Sequence, residues 1–196
     1  MFGYHEEKLA MIKAHLEGNT MNHALIVIDF QNAVLSEPPA WQADIVLERI
    51  AGLIARARAA GVPVIYVQHD TAGSSWEAGT HGWQFPALIA PQPQDHVSAK
   101  HSCDAFRQTG LQQHLAQAGI TTIYVCGYAT EFCIDTSVRR AASLELATVV
   151  ISDAHTTRDR PHLAAPAIVG HHNWVWGQLL NPGNPVTLLT ADAVPF

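Results

Sequence analysis

The sequence predicts a three-layer α/β/α domain, doubly wound around a mainly parallel sheet of six strands. Two observations carry this. Short, uninterrupted apolar runs recur along the chain, as strands buried on both faces require. Segments with apolar residues at helical spacing separate most of them, the pattern of βαβ units joined by right-handed crossovers. The size agrees: 196 residues suit one domain, and 48% apolar against 14% charged residues suffices to cover both faces of a sheet.

The first strand is expected at residues 24–28, an apolar run ending at Asp29. A Pro-containing loop (Pro38, Pro39) leads to a helix over residues 44–60. There Val46, Ile50, Leu53, Ile54 and Ala57 share one face, and Gly61 sits where a helix end favours a left-handed residue. Residues 62–67 form the second strand, with Pro63 near its start, where a missing donor is tolerated. Residues 70–95 are rich in Gly, Pro and aromatic residues, and so long a connection in a compact domain is a lid or binding loop. The remaining strands are expected at 96–100, 122–126, 147–151 and 186–189, with helices over 110–118, 130–144 and about 162–180. Residues 1–20 carry charges where a secretion signal needs an apolar stretch. Leu9, Ile12 and Leu16 recur at helical spacing there, so this is an N-terminal extension, as an amphipathic helix or a loosely held segment, ahead of a single domain over 21–196.

Composition removes several function classes. The formal charge is -6 with no Lys/Arg run, which argues against a nucleic-acid surface. No apolar run approaches the roughly 18 residues of a membrane span. Three cysteines (Cys103, Cys126, Cys133) in a chain of this length do not make a disulfide framework. Together with the missing signal they point to a reducing, cytoplasmic setting. Twelve histidines invite a metal site, but His171-His172 beside Trp174 and Trp176 read as a helix face at packing or subunit contacts.

Functional groups of doubly wound sheets gather at the strand carboxyl ends. The positions to examine are therefore Asp29, His69, Lys100 and the segment after Cys126. Asp29 closes the first strand and Lys100 the third, while Cys133 follows the fourth, where strand turns into helix. A thiol in the first turn of a helix lies at the positive end of the helix dipole, and a nearby lysine lowers its pKa further. A carboxylate within reach can take its proton or pass it to a leaving group. Backbone N–H groups of the same turn can face an oxyanion. By themselves the three residues indicate a thiol hydrolase or transferase.

The chain also resembles the isochorismatase-like cysteine hydrolases, a family that includes nicotinamidases and N-carbamoyl-amine amidohydrolases. The matching pieces are Leu25-Ile-Val-Ile-Asp29-Phe-Gln31, Val97-Ser-Ala-Lys100 with Asp104-Ala-Phe106, and Gly127-Tyr-Ala-Thr130-Glu-Phe-Cys133-Ile-Asp-Thr136, followed by Ile151-Ser-Asp153-Ala154. The resemblance implies Asp29 as general base or acid, Lys100 as electrostatic partner and Cys133 as nucleophile. It also implies a cis peptide between Tyr128 and Ala129 that turns the N–H groups of Ala129 and Cys133 toward the oxyanion. The implied reaction is hydrolysis of an amide or ureido C–N bond through a thioester, in a dimer or tetramer. An isochorismatase-type vinyl ether hydrolase and a thiol-based redox-sensing or binding module are the alternatives.

The chain departs from nicotinamidases after the second strand, in Gln68-His69-Asp70-Thr-Ala72. It lacks the histidine two positions after Asp70 that a metal site of that type needs. His69 and Asp70 with His81 would be a remnant of one, and the expectation is that no metal or other cofactor is used. For a small-molecule substrate, Trp76, Trp83 and Phe85 of the 70–95 loop are candidate pocket walls, with Phe30, Trp41 and Phe132. Cys103 and Cys126 read as small packing residues.

Overall fold

The computed structural model describes residues 22–196, so the extension expected at residues 1–20 lies outside it. The strands are β1 (His23–Ile28), β2 (Val64–His69), β3 (His96–Lys100), β4 (Thr122–Tyr128), β5 (Ala147–Thr156) and β6 (Val186–Leu189). They form one sheet in the order β3-β2-β1-β4-β5-β6, and every pair is parallel. The helices are α1 (Asn32–Leu35), α2 (Ala43–Ala59), α3 (Leu111–Gln117), α4 (Asp135–Ser143) and α5 (Ala165–Gln178).

Alternating side chains of the strands feed two cores, one on each face. Leu25, Val27, Tyr66 and Tyr124 point to the layer holding α2, where Val46, Ile50, Leu53 and Ile54 are buried. Ile26, Ile28, Ile65, Ile123 and Val125 point to the other layer, against Leu111 and Leu115 of α3, Val138 of α4 and Trp176 of α5. The chain winds outward from β1 to β3 and then returns to lay β4 on the other side of β1. The strand order therefore reverses between β1 and β4, where a crevice opens at the carboxyl ends. At this seam β4 presses against β1. A Cβ on Gly127, whose φ is 127°, would lie 2.0 Å from the carbonyl oxygen of Ile28.

Element ends moved by a few residues, with one substantive difference. β5 runs to Thr156 rather than stopping at Ile151. Its apolar run ends there, but the strand continues because polar side chains of its second half find partners. Asp153 Oδ1 accepts the N–H of Ala191 (2.7 Å), and Ser152 Oγ donates to Leu189 O (3.2 Å). The register slips on the way: Val125 faces Val150, whereas Gly127 faces His155. The helix expected over 130–144 opens as a π-turn, Thr130–Ile134, before α4. On α5, Trp176 is fully buried and Trp174 is exposed. Among the described residues no helix is long and apolar enough to cross a membrane.

Candidate active site

Three strand ends deliver three ionisable groups to the crevice. Asp29 follows β1 in a left-handed conformation (φ 51°), which aspartate tolerates better than most residues. Its N–H bonds to Val67 O, and its own carbonyl accepts the N–H of Gln31 (2.9 Å each). Lys100 ends β3, two strands away from β1, or roughly 10 Å at the usual strand spacing. Only a long side chain crosses that gap, and Lys100 does so beneath the end of β2 with 1% exposure. Its Nζ reaches 2.5 Å from Asp29 Oδ2 and 3.2 Å from Cys133 Sγ. Asp29 is 1% and Cys133 9% exposed.

Burial and charge set the protons of this cluster. Desolvation raises the Asp29 carboxyl above its ordinary range, opposed by the Lys100 charge. Burial also raises the Cys133 thiol, and the Asp29 carboxylate adds to that rise more than Lys100 takes away. For Lys100, burial favours the neutral form, but Asp29 and Cys133 outweigh it and the shift is upward. The low thiol pKa expected from the helix terminus and the lysine is therefore corrected. With Asp29 ionised, the thiol keeps its proton, and one negative charge beside Lys100 belongs to the carboxylate or to the sulfur. Asp29 Oδ2 is held by the ion pair alone and Oδ1 has no hydrogen-bond partner, so a carboxylate oxygen stays open to that proton.

Cys133 sits in the π-turn Thr130–Ile134. The Tyr128–Ala129 peptide is cis. The Ala129 carbonyl accepts the N–H groups of Phe132 (3.0 Å) and Ile134 (3.1 Å), passing over that of Cys133. The Ala129 N–H itself has no partner among the described residues. Behind the turn, Thr130 Oγ1 meets His155 Nδ1 (2.9 Å), and His155 Nε2 meets Asn173 Oδ1 (3.0 Å). Burial drives His155 down to about 4, so the ring is neutral. Asn173 Nδ2 donates to Ser152 O, which leaves Oδ1 as acceptor for His155 Nε2–H, and Nδ1 as acceptor for the Thr130 hydroxyl.

Not all the candidate aromatic residues reach the crevice. Trp76 does: its ring stacks on Tyr128 (5.7 Å, 16°) and meets His69 edge-on (6.0 Å). Phe132 is 48% exposed beside the thiol, with Arg160 over its ring at 5.1 Å. Arg160 is held there by Glu131 Oε1 (2.6 Å from Nε). Trp83 is half-buried, and its carbonyl anchors the loop by accepting Gln31 Nε2 (2.7 Å) and Gln68 Nε2 (2.9 Å). Trp41 is half-buried and tied to β5 through Thr157 O (2.8 Å). One assignment is corrected. Phe30 is 0% exposed inside the core, because an apolar ring beside a sheet face buries there first, while half-buried Phe85 packs edge-on against Tyr66 (5.1 Å).

Two residues of the site have roles that the sequence does not assign. Gln31, in the first matching motif, binds the 70–95 loop. His69, a strand-end position that the sequence offers only a metal-ligand role, places Nδ1 3.0 Å from Lys100 Nζ and Nε2 2.7 Å from Thr71 Oγ1. Donor atoms of Asp29, His69 and Cys133 lie within 4.8 Å of one another, a spacing that can suit a metal. The Lys100 ammonium sits among all three, however, where a cation would sit. Asp70 Oδ1 is spent on the N–H of Ala78 (3.0 Å), and His81 is exposed. These residues do not fit a metal centre.

Fold and site together define a doubly wound α/β domain with a thiol, a carboxylate and an ammonium in contact at the switch point of its sheet. The chain belongs to the isochorismatase family, whose domain model matches residues 23–186. A streptothricin hydrolase of Streptomyces noursei is 42% identical over 147 residues, covering 74% of this chain and 52% of that protein. The chain thus spans about half the length of that relative. A ureidoacrylate amidohydrolase, RutB, of Methylobacterium radiotolerans is 29% identical over 170 residues, covering 66% of this chain and 65% of that one. Among solved structures, an isochorismatase family protein superposes with a TM-score of 0.79 at 31% identity, covering 88% of this chain and all of that one.

Proposed function

We propose that this protein is a metal-independent cysteine hydrolase that cleaves an amide or ureido C–N bond of a small molecule. The observation that carries the reading is the position of Lys100 Nζ between Asp29 Oδ2 and Cys133 Sγ. The names of the two relatives, a streptothricin hydrolase and an ureidoacrylate amidohydrolase, support the same bond class.

The chemistry follows from the shared proton. Cys133 passes its S–H proton to Asp29 while Lys100 keeps the resulting negative charge compensated, and the thiolate attacks the carbonyl carbon. The oxygen of the tetrahedral intermediate takes hydrogen bonds from the N–H groups of Ala129 and Cys133. Collapse breaks the C–N bond, and the proton on Asp29 goes to the departing nitrogen. Asp29, again a carboxylate, removes a proton from water, which attacks the thioester and expels Cys133. The thiolate recovers its proton from Asp29. Trp76 and Phe132 border the crevice and favour a substrate with an apolar or planar part.

A panel of amides, ureido acids and isochorismate tests this. Hydrolysis of an amide or ureido compound is expected, unaffected by EDTA and lost in Cys133→Ala, with an acyl adduct of Cys133 seen by mass spectrometry. Activity that survives Cys133→Ala but not Asp29→Ala would replace this reading with vinyl ether hydrolysis. Peroxide-dependent modification of Cys133 with no turnover on the panel would replace it with thiol sensing.

A further inference from the structure

The Lys100 ammonium has more acceptors around it than protons to give. Nζ carries three N–H groups and no lone pair. Four atoms lie within reach: Asp29 Oδ2 at 2.5 Å, Ser102 O at 2.9 Å, His69 Nδ1 at 3.0 Å and Cys133 Sγ at 3.2 Å. An ammonium can only donate, so His69 Nδ1 must be the acceptor. The ring proton then sits on Nε2, directed at Thr71 Oγ1 2.7 Å away. Backbone bonds fix the residue as well: Gln31 holds its N–H (2.8 Å) and its carbonyl (3.0 Å), and His69 pairs with Lys100 in the β2–β3 register.

We infer that His69 is a positioning residue whose neutral imidazole holds the Lys100 ammonium between Asp29 and Cys133, and that protonating this ring releases the hold. His69 and Ser102 anchor two of the three N–H groups. The third is left to Asp29 Oδ2 and Cys133 Sγ, and it follows the negative charge as the thiol proton crosses to the carboxylate. Without the His69 acceptor, a second N–H turns to Asp29, and the sulfur loses its share of the cation. A protonated ring has no acceptor at Nδ1 and sets a second positive charge beside the first.

The charged groups facing His69 act in opposite directions. Lys100 from β3 and His101 just after it disfavour the imidazolium, while Asp29 after β1 and Asp70 in its own loop favour it. Burial is the largest influence and Lys100 the next, so the ring is held below its ordinary value. Cys133 approaches from the turn after β4, and uncharged Thr71 and Trp76 complete the surroundings.

This inference rests on Lys100 being the partner of the nucleophile, but its test needs no turnover. The rate of Cys133 alkylation by iodoacetamide is followed from pH 5 to 9 by peptide mass spectrometry, which separates it from exposed Cys103. His69→Leu should slow alkylation near pH 8 by about tenfold or more, since the thiolate loses cation support. His69→Asn, whose Oδ1 stands close to the place of Nδ1, should recover most of the rate. On the acid side, the wild-type logarithmic rate should fall more steeply than that of His69→Asn, because both thiol and imidazole take up protons in the wild type and only the thiol does in the variant. Thr71→Val, which releases the tautomer without touching Lys100, should lower the rate in the same direction. Wild-type alkylation in His69→Leu, failure of His69→Asn to recover the rate, or identical acid slopes would each overturn the inference. If the alkylation pattern holds while no C–N substrate is cleaved, the proposed reaction falls and the role of His69 stands.

Discussion

Gln31, fully buried, grips His69 with both ends of its amide. Oε1 accepts the His69 N–H at 2.8 Å, and Nε2 donates to the His69 carbonyl at 3.0 Å. The same Nε2 donates to Trp83 O at 2.7 Å. One side chain thus extends the β1–β2 pairing past the end of the strands and pins the loop that carries Trp76 to the sheet. In Gln31→Leu, the His69 N–H and carbonyl lose this partner and the Trp83 carbonyl keeps only Gln68, at about 1–3 kcal/mol for each buried group left unmade. The loss should fall mainly on the loop. Hydrogen exchange should accelerate within residues 70–95 before the core strands respond, and KM should rise. Unchanged exchange there would show that the loop is held by other contacts.

The Asp29–Lys100 pair gives a stability test separate from chemistry. Lys100→Met leaves a buried carboxylate without its cation and should cost about 3–5 kcal/mol in urea unfolding at pH 7. Removing both charges in Asp29→Asn/Lys100→Met should recover most of that cost. Without Lys100, burial holds the Asp29 carboxyl above its unfolded value even more strongly. The neutral form is then the stable one, and its contribution is present at low pH and lost as pH rises. The penalty of Lys100→Met should therefore be smaller at pH 4 than at pH 7.

Gly127→Ala tests the seam between β1 and β4. The added Cβ would meet Ile28 O at 2.0 Å, with backbone on both sides and no flexible side chain to move. The φ of 127° adds strain for any L side chain. Together these should destabilise the protein by about 3 kcal/mol or more, measured by thermal or urea unfolding. The same change should displace the turn that carries Cys133 and lower activity further. Near-native stability would mean that β4 can move away from β1.

His155 predicts the acid side of the stability curve. In the unfolded chain it binds a proton below about 6.5. In the fold it stays neutral down to about 4, so the unfolded state holds more protons between these values. Stability should rise with pH across that window, and up to about 3 kcal/mol of it should be lost on going from pH 7 to pH 4. Urea unfolding of His155→Asn against wild type should show a flatter pH dependence, and parallel curves would remove His155 as the cause.

The apolar runs and helical spacings sufficed for the layer architecture, the parallel sheet and most element positions, because burial on two faces leaves a periodic mark. Asp29, Lys100 and Cys133 were legible for a related reason: polar residues at the carboxyl ends of such runs have few other uses. What the sequence did not carry depends on distance in space. The thiol pKa is set by burial and by the Asp29 charge, neither of which is visible at Cys133 in the chain, and the rise reverses the expectation from the helix terminus alone. Phe30 looks like Trp76 in composition, and only packing sends it to the core. His69 and Gln31 take their meaning from partners 31 and 38 positions away, Lys100 and His69 respectively. The sequence by itself determined which groups stand at the switch point. The tertiary structure decided which of them share protons, because hydrogen bonds and charges act over a few ångströms and not along the chain.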